Sequence, residues 1–289
     1  MRVENRWDIP FSEDDQVKYS DFEMGFEACY QVKVTEFDTG GAEIVAANLQ
    51  PLAWARKKAL AGSGIVWPRP AEETAKAQQK SKEASCRRAT KKVRHHVRQL
   101  KSLYMFTLSQ RENITDVEEF KRRFDLFRRR LSAAAKKHGA RFEYLGVPEP
   151  QKRGAWHLHM ACDSRILFRL MVRIWNAVNG PTEACPQGGG YVHLTSGKGR
   201  LRGHKKLAGY MSKYIGKTFE SAEHFGAKRY WRSRSLPSPR VSTYLLPPGT
   251  QMEDVIKHVC TLGALLHADK KDWSTYLSED AGVFWYSTD

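Results

Sequence analysis

Two histidines set one residue apart, His157 and His159 in the run KRGAWHLHM at 152–160, are the first residues whose types and spacing suggest chemistry. In an extended strand alternate side chains share a face, so the two imidazoles project together, about 7 Å apart along the strand. So placed they can share one divalent ion, with a third ligand drawn from a neighbouring strand. Glu149 stands just before the turn QKRG, and a hairpin there brings its carboxylate alongside. Two imidazoles and a carboxylate leave open positions on Mg²⁺ or Mn²⁺, which suits a Lewis acid for phosphate chemistry. By itself a His-x-His pair equally fits a hydrogen-bonded surface strand, and Glu149 alone could simply end one.

A second cluster lies in YMSKYIGK, residues 210–217. On a helix turning about 100° per residue, Leu207, Met211, Ile215 and Phe219 fall on one arc and Tyr210, Lys213, Tyr214 and Lys217 on another. The apolar arc can pack, so the Tyr/Lys arc is free for other work. A phenol is a weak nucleophile at neutral pH, and a nearby ammonium favours its phenolate. The same lysines could neutralise a phosphate under attack. The alternative is a pair of amphipathic tyrosines anchoring the helix.

The elements that must position these residues are legible in outline. LYMFTLS, 103–109, reads as a buried strand. Thr115 and Glu118 form a capping-box signature for a helix with Val117, Phe120, Phe124, Phe127 and Leu131 at helical spacing, ended by Gly139. RFEYLGVPE, 141–149, and AWHLHMAC, 155–162, read as antiparallel strands. Ser164 caps a helix to about Val178, and YVHLT, 191–195, is a short strand. A basic loop, SGKGRLRGHKK, leads into the tyrosine helix. The order predicts an α+β fold, an antiparallel sheet covered by helices on one face, with a mostly helical N-terminal extension. The expected division is an extension and linker at 1–84, a functional domain at 85–235 and a C-terminal tail at 236–289. Within the first, YQVKVTEFD is strand-like, PLAWARKKALAG reads as a helix, and 62–84 as a linker or solvated helix.

Forty-eight Lys and Arg against 32 Asp and Glu give the 289-residue chain a net charge of +16. Such a surplus points to a polyanionic partner, nucleic acid above all. The candidates for phosphate contact are Arg87, Arg88, Lys91 and Lys92 in a basic helix at 85–102, Arg153 in the hairpin turn, Lys198, Arg200, Arg202, Lys205 and Lys206 before the tyrosine helix, and Arg229 in KRYWRS. The helix at 85–102 equally fits a solvated charged face. No apolar run is long enough for a membrane helix. The N-terminus lacks a signal pattern, and five scattered cysteines without a CxxC fit a reducing cytoplasm rather than a disulfide scaffold or zinc site.

Joined, a His-hydrophobic-His strand and a later Tyr-x-x-Lys helix resemble the HUH endonucleases of rolling-circle replication. The resemblance covers roughly 85–235, with FTLS as the first strand motif, EPQKRGAWHLHM as the metal motif and YMSKYIGK as the nucleophile motif. Two tyrosines are most similar to the initiators of single-stranded DNA phages and some plasmids. The resemblance implies Glu149, His157 and His159 as ligands of one Mg²⁺ or Mn²⁺, Tyr210 and Tyr214 as nucleophiles, and Lys213 as their accompanying lysine. It further implies single-stranded or hairpin origin DNA as substrate, a bacterial cytoplasm as location, and a host polymerase as partner. Conjugative relaxases differ in placing the tyrosine before the histidines. A GxxxxGK[ST] motif is absent, so a host helicase is expected to unwind the DNA. A two-tyrosine transposase and a non-catalytic DNA-binding regulator are the rival readings.

Overall fold

The Glu149–His157 hairpin sits at the centre of a five-stranded antiparallel sheet of order β6-β3-β5-β4-β7. A computed structural model describes residues 29–49, 71–101, 104–162, 168–181, 183, 186, 188–195, 203–220, 229–266 and 273–288, with the side chains of 71–75 and 217–220 outside the description. The chain divides into two units, residues 69–239 in one, and residues 1–68 with 240–289 in the other.

In the 69–239 unit the strands are β3 (Tyr104–Gln110), β4 (Tyr144–Pro150), β5 (Trp156–Cys162), β6 (Gly190–Thr195) and β7 (Trp231–Arg232). Its helices are α1 (Ala71–Gln99), α2 (Val117–Lys137), α3 (Phe168–Asn179) and α4 (His204–Glu220). The turn joining β4 and β5 is closed by Gln151 N–H donating to the Ala155 carbonyl, and Gly154 takes a φ of 85° that a side chain would disfavour. α2 starts differently from the Thr115–Glu118 box. Asp116 is the cap, its carboxylate accepting from the Glu118 and Glu119 amides at 2.9 and 3.3 Å, because two charged oxygens serve both orphan donors. At the other end Gly139, at φ 68°, lets Ala140 N–H reach the Ala135 carbonyl, as the sequence suggests.

The α+β class is as expected, but the sheet is covered on both faces rather than one. Phe106, Leu108, Tyr144, Trp156, Leu158 and Met160 pack on α2 and α3, whose Phe120, Phe124, Phe127 and Trp175 are almost fully buried. The alternate residues Met105, Leu145, Val147 and Ala161 pack instead on Val93, Val97 and Leu100 of α1 and Leu207, Met211 and Ile215 of α4. The strands are apolar on both sides, so each side needs its own layer. The segment 71–84 is the first half of α1, and the basic 85–99 stretch continues it as one helix.

The other unit joins chain ends that the sequence leaves as separate pieces. Its sheet, β8-β1-β2-β10-β9, combines the hairpin β1 (Cys29–Glu36) and β2 (Ala42–Leu49) with β8 (Arg240–Leu245), β9 (Trp273–Ser278) and β10 (Val283–Thr288). Val32, Val34, Ile44 and Phe284 pack against Val255 and Val259 of α5 (Met252–Leu266). Residues 29–49 of the N-terminal extension are thus strand, not helix, following the alternation of Tyr30, Val32 and Val34. The helix expected at PLAWARKKALAG lies outside the described residues. Among the described residues, no helix is long and apolar enough to cross a membrane.

Candidate active site

Register decides which side chains meet. β4 and β5 pair with Glu149 opposite His157 and Val147 opposite His159, and β3 sets Thr107 beside His159. Glu149, His157, His159 and Thr107 therefore share the face that carries α1 and α4. The Glu149 carboxylate accepts from His159 Nε2 at 2.6 Å, while Thr107 Oγ1 lies 3.2 Å from Nδ1. In the tautomer that satisfies both contacts, the hydroxyl donates to Nδ1.

α4 delivers the tyrosines to this face. Its apolar arc is fully buried, with Leu207, Met211 and Ile215 at 0% exposure, and His204 ties its start to α1 by a 2.8 Å contact between Nε2 and the Leu100 carbonyl. Tyr210 and Tyr214 are then half-buried at the flank of that core. The Tyr214 ring lies flat on His159, centroids 3.6 Å apart and planes inclined 12°. Its hydroxyl donates to the Tyr210 hydroxyl at 2.7 Å, the two rings meeting edge to face. The metal motif and the nucleophile motif are therefore one cluster.

Electrostatics refines the expectation for the phenols. Burial, the hydrogen bond to Tyr210 and the nearby Glu149 charge all push the Tyr214 phenol well above its ordinary value. Lys213 is exposed, on the solvent side of α4, and the shift on Tyr214 runs against the phenolate that a lysine was expected to favour. The Lys217 side chain lies outside the described residues. His157 is pulled down to about 4, chiefly by burial, then by His159 and more weakly by Arg153, with Glu149 opposing. It is therefore neutral at physiological pH, as a ligand imidazole must be.

The donor set fits a divalent ion in residue type, protonation and face, though not in its present spacing. Among the described residues no three His, Cys, Asp or Glu side chains stand at metal-holding geometry. Two oxygen- or nitrogen-bound ligands about 2.1 Å from an ion lie about 3 Å apart at a right angle. The 2.6 Å Glu149–His159 contact is shorter, so the pair must open to admit one.

The basic candidates are dispersed. Arg87, Arg88 and Lys92 are exposed and Lys91 half-buried on α1, and Lys205 and Lys206 open α4. Arg153 is exposed, its guanidinium held by Gln151 and the Gln110 carbonyl beside the hairpin turn. Arg229 is buried away from this cluster, and Lys198, Arg200 and Arg202 lie outside the described residues. Sequence reasoning missed Thr107, whose role needs the β3–β5 register, and Tyr191 and His193. Both of the latter lie on the site face of β6, in register with Ser109 and Thr107, and Tyr191 is 53% exposed. An aromatic at an exposed strand position was the available signal.

Residues 102–219 match the family model of the replication-associated protein ORF2. The match spans less than half of the 289 residues, yet runs from β3 through the hairpin to nearly the end of α4. It supports a role in replication, with DNA as the partner. No curated protein and no solved structure matches the chain.

Proposed function

We propose that the chain is a site-specific DNA nicking and joining enzyme of the HUH type that starts and ends rolling-circle replication. The observation that carries this reading is the stacking of Tyr214 on His159 with Tyr210 hydrogen-bonded behind it. A tyrosine poised on a His/His/Glu face needs no other reason to sit there, since α4 is already anchored by its apolar arc. Glu149, His157 and His159 would hold one Mg²⁺ or Mn²⁺, which when bound polarises the scissile phosphate. The phenol oxygen attacks phosphorus and loses its proton. The bond to the 3′ oxygen breaks, and that oxygen takes a proton to become a free 3′ hydroxyl for a polymerase. The 5′ phosphate stays on the tyrosine, and since one phosphodiester replaces another the step is reversible. The second tyrosine can then run the reverse transfer and close a circle.

Around this centre Thr107 orients His159, Arg153 stands by His157, and Tyr191 offers an exposed ring on which a base of the incoming strand can stack. The replication-associated match favours an initiator over a transposase with the same chemistry. The test is a labelled single strand incubated with the protein and Mn²⁺. A denaturation-resistant protein–DNA adduct on Tyr210 or Tyr214 is expected, and tight binding without any adduct would leave only a DNA-binding regulator.

A further inference from the structure

The outer edge of β4 carries a feature that the nicking site does not use. β7 is two residues long and covers that edge only at Leu145 and Gly146. Between it and α2 runs a groove of about 1120 Å³. Lys121, Arg128, Arg229, Arg232 and Arg234 line it against the carboxylate of Asp125. That carboxylate already accepts from Arg128 Nε at 2.6 Å, and five cations against one acid leave the lining strongly positive. Arg229 is 8% exposed, a guanidinium held largely out of water.

The wall between these cations is aromatic. Phe142 and Tyr144 are stacked at 5.3 Å, and Tyr230 is half-buried beside them. Burial pushes the Tyr144 phenol up to about 12, so it stays a neutral hydrogen-bond donor. Crowded guanidiniums repel one another, and a chain of phosphates relieves that repulsion while flat bases meet the rings. The volume exceeds the roughly 300–1,000 Å³ of small-molecule sites, which suits a polymer segment.

Side-chain alternation separates this groove from the tyrosines. Tyr144 and Trp231 belong to the α2 side of the sheet, whereas Glu149, Val147 and Leu145 face α4. A strand lying in the groove is thus on the other side of the sheet from the strand being cut.

We propose that this groove binds a second segment of single-stranded DNA, distinct from the one at the tyrosines. The inference takes DNA as the polyanion from the reading above, but it does not depend on cleavage.

The test measures binding of a long single strand to the full-length Tyr210→Phe/Tyr214→Phe chain, with and without Arg128→Gln and Arg234→Gln. Removing two phosphate contacts should lower the slope of log affinity against log salt by about 1.4. Between 50 and 200 mM salt the parent should therefore lose about sevenfold more affinity than the Gln variant. In the unaltered protein, photocrosslinks from 5-iodouracil should map to Phe142 or Tyr230 as well as to the tyrosine face. An unchanged slope, or crosslinks confined to the α4 and β6 face, overturns the proposal. Crosslinks decide it if the Gln variant fails to fold. Groove crosslinks without a covalent adduct would sink the nicking reading and leave the groove, and an adduct with no groove crosslinks would do the opposite.

Discussion

The direction of one hydrogen bond makes the two tyrosines unequal. Tyr214 donates to Tyr210 at 2.7 Å, so negative charge developing on the Tyr210 oxygen is stabilised by a donor already in place. The same bond, with burial and Glu149, opposes ionisation of Tyr214. Tyr210 is therefore the expected first nucleophile. A hydrogen bond to a neutral oxygen contributes about 0.5–1.5 kcal/mol and one to a charged oxygen about 1.5–3 kcal/mol. The difference, about 1–1.5 kcal/mol, is the part that lowers the barrier, so Tyr214→Phe should slow the first cleavage about five- to tenfold.

The phenyl ring introduced by Tyr214→Phe keeps its place on His159, so the site is not otherwise disturbed. Peptide mapping of the trapped adduct by mass spectrometry should find Tyr210 modified first in the wild type, and single-turnover rates give the fold-change. Circle closure should fail in either single Phe variant, because the second acceptor is gone. Dominant early adduct on Tyr214, or Tyr214→Phe closing circles at the wild-type rate, would refute both the asymmetry and the relay.

Changing His157 and His159 together to Ala should abolish the adduct while single-strand binding persists, and undiminished cleavage in EDTA would remove the metal from the mechanism. Tyr191→Ala should weaken single-strand binding by about 1–3 kcal/mol if a base stacks there, measured by anisotropy, with unfolding midpoints unchanged. His96 is held down to about 4 by burial first and then by Arg232 and His95, against an opposing bond to the Pro237 backbone. Its neutral form is the folded one, so stability is complete above about pH 6.5 and is lost as pH falls toward 4. Urea unfolding at pH 5 and 7.5 should show a loss on the order of 1 kcal/mol that His96→Gln removes; an equal loss in the variant assigns it elsewhere.

Legibility followed the range of the interaction. Period-two alternation placed His157 and His159 on one face and a short turn set Glu149 opposite, because a four-residue connection leaves the register little freedom. The buried Leu207–Met211–Ile215 arc was readable for the same local reason. The contacts that escaped reading join distant segments. Ala42 N–H donates to Thr288 Oγ1 across 246 residues, and no local pattern marks the termini as neighbours in one sheet. The second covered face was hidden because Leu145 and Val147 look like any strand interior until α1 and α4 are seen to need a floor.

The sheet's two sides explain why the polar cluster stands where it does. On the α2 and α3 side Leu108, Leu158 and Met160 leave no polar position along the central strands, so a buried His or Glu there would lack both water and partners. On the other side the apolar residues Met105, Val147 and Ala161 stop one step short of Thr107, Glu149 and His159, and α4 covers the boundary with tyrosines instead of leucines. The polar groups sit where the core ends. There each finds a partner while remaining within reach of a strand arriving from solvent past Tyr191. A Tyr210→Leu or Tyr214→Leu change would be expected to pack well on that boundary, and it would extend the core over Glu149 and His159 at the expense of the chemistry.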